Sequence, residues 1–393
     1  MEKLKEAALT VLFWFFKKRS ELFRFIYISI KKILALSFPE KKSVSSQEPG
    51  SRATFFLHSD YQKPYLINFQ KTLEAMGHVK FCSIDIAGEK QLAKRVLLTA
   101  ENHGVGFHAY PFRTGRFPGT LSHILVSHGL DGGRYDSLGS FGFGSGRVLG
   151  RKSQRLYDFL LVASPWSQEL AIREVAEYSG RVLVTGDWRA DAIIDAAHAP
   201  VENRASLKIK VGNTVVGIAS SHGPHSTFRK FGHQLIETLS AFGDDVSFLI
   251  FFHEYEAIFQ KPLFELVREH CKNNMNCQIV PFKRFEQALV VCDLLISDYG
   301  GTSLYYSLLG RPLLFLPFDE SFMLEDFPTM TLKQHVKTVP SLLDAIPYIG
   351  EACESKNNIL SPPDWFIQRL YPAKSEFSLL SKQALERVFS DIG

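Results

Sequence analysis

The sequence predicts an α/β protein of two Rossmann-like domains facing a central cleft, preceded by an amphipathic helical segment. Three observations predict it. From residue 53 onward, short apolar runs alternate with longer stretches of helical period. The alternation comes in two series, separated by a polar stretch at 199–213 with no clear strand. Several of the apolar runs end in turns of Gly, Ser, Thr or His. Alternating β and α units give parallel sheets covered on both faces, and each series is long enough for one domain core. The divisions that follow are 1–52 for the amphipathic segment and linker, 53–200 for the first Rossmann-like domain, and 201–393 for the second with its C-terminal helices.

The first segment opens with the apolar run 7–16, followed by Lys17-Lys18-Arg19. Leu22, Ile26, Ile30 and Ile33 then fall on one helical face, with Arg24, Lys31 and Lys32 among them. The run is well short of the roughly 20 apolar residues that span a bilayer. An aromatic, basic, amphipathic stretch suits the membrane interface, and docking on the protein's own core is the competing reading. Residues 39–52 read as a flexible linker. In the first series the strands are Thr54–Leu57, Val79–Ile84, Ile124–Ser127, Phe159–Ala163 and Val182–Thr185, with helices near 62–76, 88–102, 166–178 and 188–197. In the second they are Val215–Ala219, Phe248–Phe252, Gln278–Val280, Leu294–Ser297 and Leu313–Leu316. Helices near 228–242, 255–272, 302–309 and 340–349 lie between or after these, and 363–392 is helical.

The net charge of +4 is unevenly placed. Residues 1–42 alone carry +6, so the body is close to −2 and is not a nucleic-acid binder by charge. The five cysteines are scattered without a Cys-x-x-Cys pair. They indicate neither a zinc knuckle nor a disulfide framework, and fit a reducing, cytosolic setting.

The most informative segment is Leu294 to Pro317. Ser297, Asp298, Tyr299, Gly300, Gly301, Thr302 and Ser303 sit where a buried strand ends and a helix begins. Free N–H groups and the positive helix end make that junction suited to a phosphate, and ligands bind at such ends of open α/β sheets. Helix capping is the plainer alternative. His128, before Gly129, ends another strand, and its near-neutral pKa suits it to take a proton from a hydroxyl. Asp131 orients that histidine, binds an acceptor hydroxyl or caps the turn. His253 ends a strand of the second series. Ser221, His222, His225 and Thr227 lie in a small-residue turn before a helix, which suits a nucleotide phosphate. Arg189 and Asp191 follow the Thr185-Gly186 turn as a structural pair, Arg189 being also an acceptor-side candidate. No metal cluster is evident, and a pyrophosphate-bound Mg²⁺ stays open.

Ser297-Asp298-Tyr299-Gly300-Gly301 resembles the Ser-Asp-Tyr-Ser-Ser motif of the CDP-glycerol glycerophosphotransferases, the teichoic-acid and capsule polymerase family with a GT-B fold. Ser127-His128-Gly129 is similar to its Trp-His-Gly, Thr185-Gly186-Asp187-Trp188-Arg189 to its Thr-Gly-x-Pro-Arg, and Phe251-Phe252-His253 to its Arg-x-His. The chain departs from the pattern at Ser127, Trp188, Phe251 and Leu304-Tyr305-Tyr306, where the family has Trp, Pro, Arg and Phe-Asp-Tyr.

The resemblance implies a GT-B-like transferase that moves glycerol phosphate, or a related polyol phosphate, from a CDP-linked donor to a hydroxyl of a lipid-linked glycan or surface polymer, releasing CMP. It implies His128 as general base, His253 with the 297–303 turn and Ser221 on the donor phosphates, and Gly129, Asp131 and Arg189 on the acceptor side. The expected partners are the nucleotide donor, the polymer acceptor and a membrane surface. The expected location is the cytoplasmic face of the cell membrane, peripherally. A glycosyltransferase using a nucleotide sugar and a non-catalytic scaffold of a capsule complex are the alternatives.

Overall fold

The computed structural model describes residues 52–57, 63–77, 80–85, 104–108, 121–127, 130, 157–223, 225–323, 326–354, 360–372 and 376–392. The expected amphipathic segment and linker at 1–51 lie outside these residues, as does the helix expected at 88–102. In chain order the elements are β1 (Arg52–Leu57), α1 (Lys63–Ala75), β2 (Lys80–Asp85), β3 (Gly104–His108), β4 (Leu121–Val126), β5 (Phe159–Val162), α2 (Pro165–Glu174), β6 (Val182–Val184), α3 (Trp188–Ala196) and α4 (Pro200–Ser206). They continue with β7 (Thr214–Ala219), α5 (Thr227–Ser240), β8 (Val246–Phe251), α6 (Glu254–Phe259), α7 (Lys261–Asn273), β9 (Cys277–Ile279), α8 (Phe285–Leu289), β10 (Leu294–Ser297), α9 (Gly301–Ser307) and β11 (Leu313–Phe315). The last are α10 (Pro328–Lys333), β12 (Lys337–Thr338), α11 (Ile346–Cys353), α12 (Asp364–Leu370) and α13 (Phe377–Ile392). The expected α/β class with parallel sheets is what the chain forms.

The chain divides into two compact units, residues 1–109 with 113–124, and residues 110–112 with 125–393. In the first unit β1 pairs in parallel with β2 on one side and β3 on the other. Leu66, Phe69 and Leu73 form the buried face of α1, recurring at helical spacing.

In the second unit β5 and β6 pair in parallel, and six further strands form a sheet of order β12-β11-β10-β7-β8-β9. All five neighbouring pairs of this second sheet run parallel. Alternate residues of its strands enter two separate cores. Val216, Ile218, Phe248, Ile250, Leu294, Ile296 and Leu314 pack with Phe228, Leu235 and Leu239 of α5. Val215, Ala219, Leu249, Phe251, Leu295, Leu313 and Phe315 face the other core, which reaches Tyr299, Tyr305 and Tyr371. Side chains alternate across a strand, so a run that is apolar at every position belongs to a sheet covered on both faces. Gly217 sits where β7 has no room for a side chain: a Cβ would stand 2.8 Å from Leu295 Cδ1 and 2.9 Å from Cys292 Sγ.

Several elements differ from the sequence expectation. The helix expected at 255–272 is two, divided at Gln260, whereas the helical stretch expected at 363–392 does comprise helices, α12 and α13. The division between these falls near Pro372, which cannot supply the N–H a continuing helix needs. The polar 199–213 stretch holds α4, with Pro200 at its first turn. Cys271 at the end of α7 and Cys277 opening β9 form a disulfide, with Cα atoms 4.8 Å apart. The sequence reading saw no disulfide; the reversal from helix to strand brings this pair together. Cys292 is buried, as an apolar filler would be.

Candidate functional site

The strand order of the second sheet sets where a site can form. From β7 the chain proceeds to β8 and β9 on one side, then returns to β10, β11 and β12 on the other. The carboxyl ends of β7 and β10 therefore flank a topological switch point, the crevice in which open α/β sheets bind ligands. Two loops meet there. Residues 220–226 lead from β7 into α5, and residues 298–300 lead from β10 into α9.

Asp298 ties these loops together. It is 1 % exposed. Its carboxylate accepts hydrogen bonds from Ser221 N (3.0 Å), Ser221 Oγ (3.0 Å), Thr227 N (2.8 Å), Thr227 Oγ1 (3.1 Å) and Gly300 N (3.0 Å). Both ends of the β7 loop and the start of its own turn thus converge on one side chain. Burial lifts the Asp298 carboxyl above its ordinary value, opposed by the N–H groups of Thr227, Gly300 and Ser221 and by the Ser221 hydroxyl. Gly300 permits the close approach, since a Cβ there would stand 3.1 Å from Ser221 Cβ and 3.3 Å from Asp298 Oδ1.

Asp298 also takes a role that the sequence assigned to an exogenous anion. The Thr227 N–H goes to Asp298, and the Phe228 N–H goes to Ser220 Oγ at 3.1 Å. The first turn of α5 is thereby capped from within the protein. Ser221 and Thr227 are engaged by the same carboxylate, and Ser303 donates its hydroxyl to Gly300 O at 2.7 Å. Thr302 and Gly301 are half-buried in the first turn of α9, where N–H groups have no intrahelical acceptor. Ser297 Oγ is buried, with no hydrogen-bond partner among the described residues.

Tyr299 lies against Phe318, ring centroids 5.5 Å apart, and donates its hydroxyl to His222 O at 2.7 Å. The His222 ring lies against that of His253, tilted by 33° with centroids 4.3 Å apart. His253, two residues past β8, is half-buried. The structure therefore brings His253, the β7 loop and the 297–303 turn to adjacent strand ends of one sheet. His128, Gly129 and Asp131 lie outside the described residues. The strand before them is in place: Ser127 N donates to Leu161 O at 2.8 Å, just past the end of β4.

Arg189 lies elsewhere in the second unit. It is buried, donates through Nε to Glu286 Oε1 at 2.9 Å, and is surrounded by the rings of Trp188, Phe282, Phe285 and Tyr305. Beside it Asp187 caps α3, accepting from the Arg189 and Ala190 N–H groups and from Tyr305 Oη at 2.9 Å. Tyr371 donates to Asp191 Oδ1 at 2.5 Å, and the Phe377 N–H to Asp191 Oδ2 at 2.9 Å. The C-terminal segment is thus fastened to α3. Asp191 therefore ties the start of α3 to that segment.

Sequence reasoning passed over Glu256, Asp187 and Tyr371. Their partners stand 33, 118 and 180 residues away, and no local pattern announces such pairs. No group of three His, Cys, Asp or Glu able to hold a metal occurs among the described residues. The Asp298 carboxylate at the switch point already accepts from three N–H groups and two hydroxyls. No helix among the described residues is long and apolar enough to cross a membrane.

The family model for CDP-glycerol:poly(glycerophosphate) glycerophosphotransferase matches residues 137–360. Among solved structures, the wall teichoic acid polymerase TagF, in a variant soaked with CDPG, has a TM-score of 0.56 at 13% identity, covering 88% of this chain and 89% of that one. The Methanocaldococcus jannaschii UDP-GlcNAc 2-epimerase, with UDP-GlcNAc and UDP, gives 0.52 at 14% identity, covering 86% and 99%. Anabaena Alr3699/HepE, with UDP and glucose, gives 0.50 at 15% identity, covering 86% and 99%. At these identities the likeness is one of fold, the GT-B type. No curated protein sequence matches the chain.

Proposed function

The chain belongs to the CDP-glycerol:poly(glycerophosphate) glycerophosphotransferase family, and we propose that it transfers glycerol phosphate, or a related polyol phosphate, from a CDP-linked donor to a hydroxyl of a lipid-linked glycan or surface polymer. The observation that carries this reading is the convergence at the switch point of the second sheet. His253, His222 and the 297–303 turn occupy neighbouring strand ends, and Asp298 holds the two loops rigidly in register.

In the proposed reaction the acceptor oxygen attacks the phosphorus that carries the polyol. The bond from that phosphorus to the bridging oxygen breaks, and CMP leaves with the electron pair. His128, at the end of β4 in sequence, takes the acceptor proton. His253, with the Thr302 hydroxyl and the N–H groups of Gly301 and Thr302, bears the charge on the donor phosphates. Positioning and charge stabilisation are the main tasks in phosphoryl transfer. Asp298 and Ser221 shape the loops. The basic, aromatic first 52 residues keep the enzyme at the cytoplasmic membrane surface, beside a lipid-linked acceptor. No step is routed through a metal.

The test is the nucleotide released from a panel of CDP-glycerol, CDP-ribitol and UDP- or GDP-sugars, with membrane glycolipid as acceptor. Acceptor-dependent CMP release from a CDP-polyol, lost in His128→Ala and His253→Ala, is the expected result. Release of UDP or GDP would make the chain a nucleotide-sugar glycosyltransferase.

A further inference from the structure

Glu256 lies at the start of α6, beyond the strand on the other side of β7 from β10, and is fully buried. Its Oε1 accepts the Gly223 N–H at 3.1 Å and stands 3.5 Å from Nε of Arg229. Its second oxygen is buried beside the buried hydroxyl of Ser226. Gly223 has φ +104, a conformation that aims its N–H where other residues rarely can. The β7 loop is therefore gripped by two buried carboxylates from opposite sides. Asp298 holds its ends, at Ser221 and Thr227, and Glu256 holds its middle.

His222 is the residue immediately before that middle grip. Tyr299 fixes its carbonyl, Glu256 fixes the next N–H, and its ring meets His253. Two of these three restraints come from the segment after β8, which carries both His253 and Glu256. One short stretch thus supplies a histidine to the site and the carboxylate that sets the histidine opposite.

We infer that Glu256 is a positioning residue that holds the His222–Gly223 turn, and so aligns the His222–His253 pair with the diphosphate of the donor. The alignment of the pair follows from this geometry alone, while its use on a nucleoside diphosphate rests on the function proposed above. An alanine at 256 leaves the Gly223 N–H without its acceptor and frees the turn. A glutamine keeps an oxygen for Gly223 and a polar group for Ser226.

The experiment records imidazole ¹H–¹⁵N correlations of the full chain, with cytidine diphosphate titrated into the same samples. Glu256→Ala is expected to move the His222 and His253 resonances while those of His198 and His335 stay in place. It is also expected to weaken cytidine diphosphate binding about tenfold, the scale of one lost buried hydrogen bond. Glu256→Gln is expected to restore both. If the alanine variant does not fold, Glu256→Asp carries the test, because its carboxylate is withdrawn by one bond and must move the same two rings. Unmoved His222 and His253 rings in a folded alanine or aspartate variant would overturn the inference, as would equal movement of all four histidines. Rings that move in Glu256→Ala, beside a wild-type protein that binds no cytidine diphosphate, would uphold the positioning role and overturn the donor reading.

Discussion

Asp298→Ala is the most severe single change the switch point offers. It strands the buried N–H groups of Ser221 and Thr227 and the half-buried one of Gly300, together with two hydroxyls that can turn elsewhere. Each orphaned buried donor costs about 1–3 kcal/mol. Releasing a buried carboxylate from its desolvation cost offsets part of that sum, which leaves a net loss of about 3–5 kcal/mol. For a unit of this size that lowers the melting temperature by roughly 10 °C. Asp298→Asn keeps one oxygen and the shape. With the amide nitrogen at the Oδ1 position, Ser221 and Thr227 keep Oδ2 and only the Gly300 N–H loses its acceptor. The expected cost is about 1–3 kcal/mol. Scanning calorimetry and urea unfolding of the wild type and both variants give the comparison. If alanine and asparagine cost the same, and less than about 1 kcal/mol, Asp298 does not hold the two loops together and the reasoning fails.

Three other predictions follow from single contacts. Gly300→Ala places a methyl 3.1 Å from Ser221 Cβ and should cost about 1–3 kcal/mol in urea unfolding, with weaker nucleotide binding by calorimetric titration. Arg189→Ala takes the guanidinium from Glu286 and from the rings packed around it and should cost about 3–5 kcal/mol in urea unfolding, whereas Arg189→Met combined with Glu286→Gln, which keeps the packing and removes the stranded charge, should cost less. Burial raises the Glu256 carboxyl above its ordinary value, so the native state holds that proton more tightly than the unfolded chain does. The resulting stability is fully present below the unfolded carboxyl pKa and is lost as pH rises through the folded one. The melting temperature of Glu256→Gln relative to wild type should therefore climb as pH rises from acid towards neutral, and a flat difference would contradict the direction.

Much of the fold was legible because the second sheet is covered on both faces. Its strands must be apolar at every position, and Val215–Ala219, Phe248–Phe252, Leu294–Ser297 and Leu313–Leu316 stand out for that reason. The 297–303 turn could be placed at a strand-to-helix junction from local sequence alone. Strand β3, Gly-Val-Gly-Phe-His, reads as a loop because two of its five residues lack side chains, and β12 is too short to leave a pattern. The single stretch 255–272 keeps its helical period across Gln260, so its division is invisible locally. What Asp298 does was half legible. An aspartate in a turn before a helix commonly accepts from nearby backbone N–H groups, but its partners at 221 and 227 are 77 and 71 residues away. The clamp arises only once β7 and β10 are adjacent. Glu256 was missed for the same reason, since its donor Gly223 comes from another segment, and so was the Tyr305 hydroxyl on Asp187, although Asp187 also caps its own helix locally.

The central claim is that the donor's diphosphate binds at the switch point of the second sheet. Electron density from a crystal soaked with CDP-glycerol tests it most directly. The account predicts the pyrophosphate at the carboxyl ends of β7, β8 and β10, within hydrogen-bond distance of His253 and of Thr302 Oγ1, with Asp298 still bound to Ser221 and Thr227. Density for the nucleotide at any other place on the protein would contradict it.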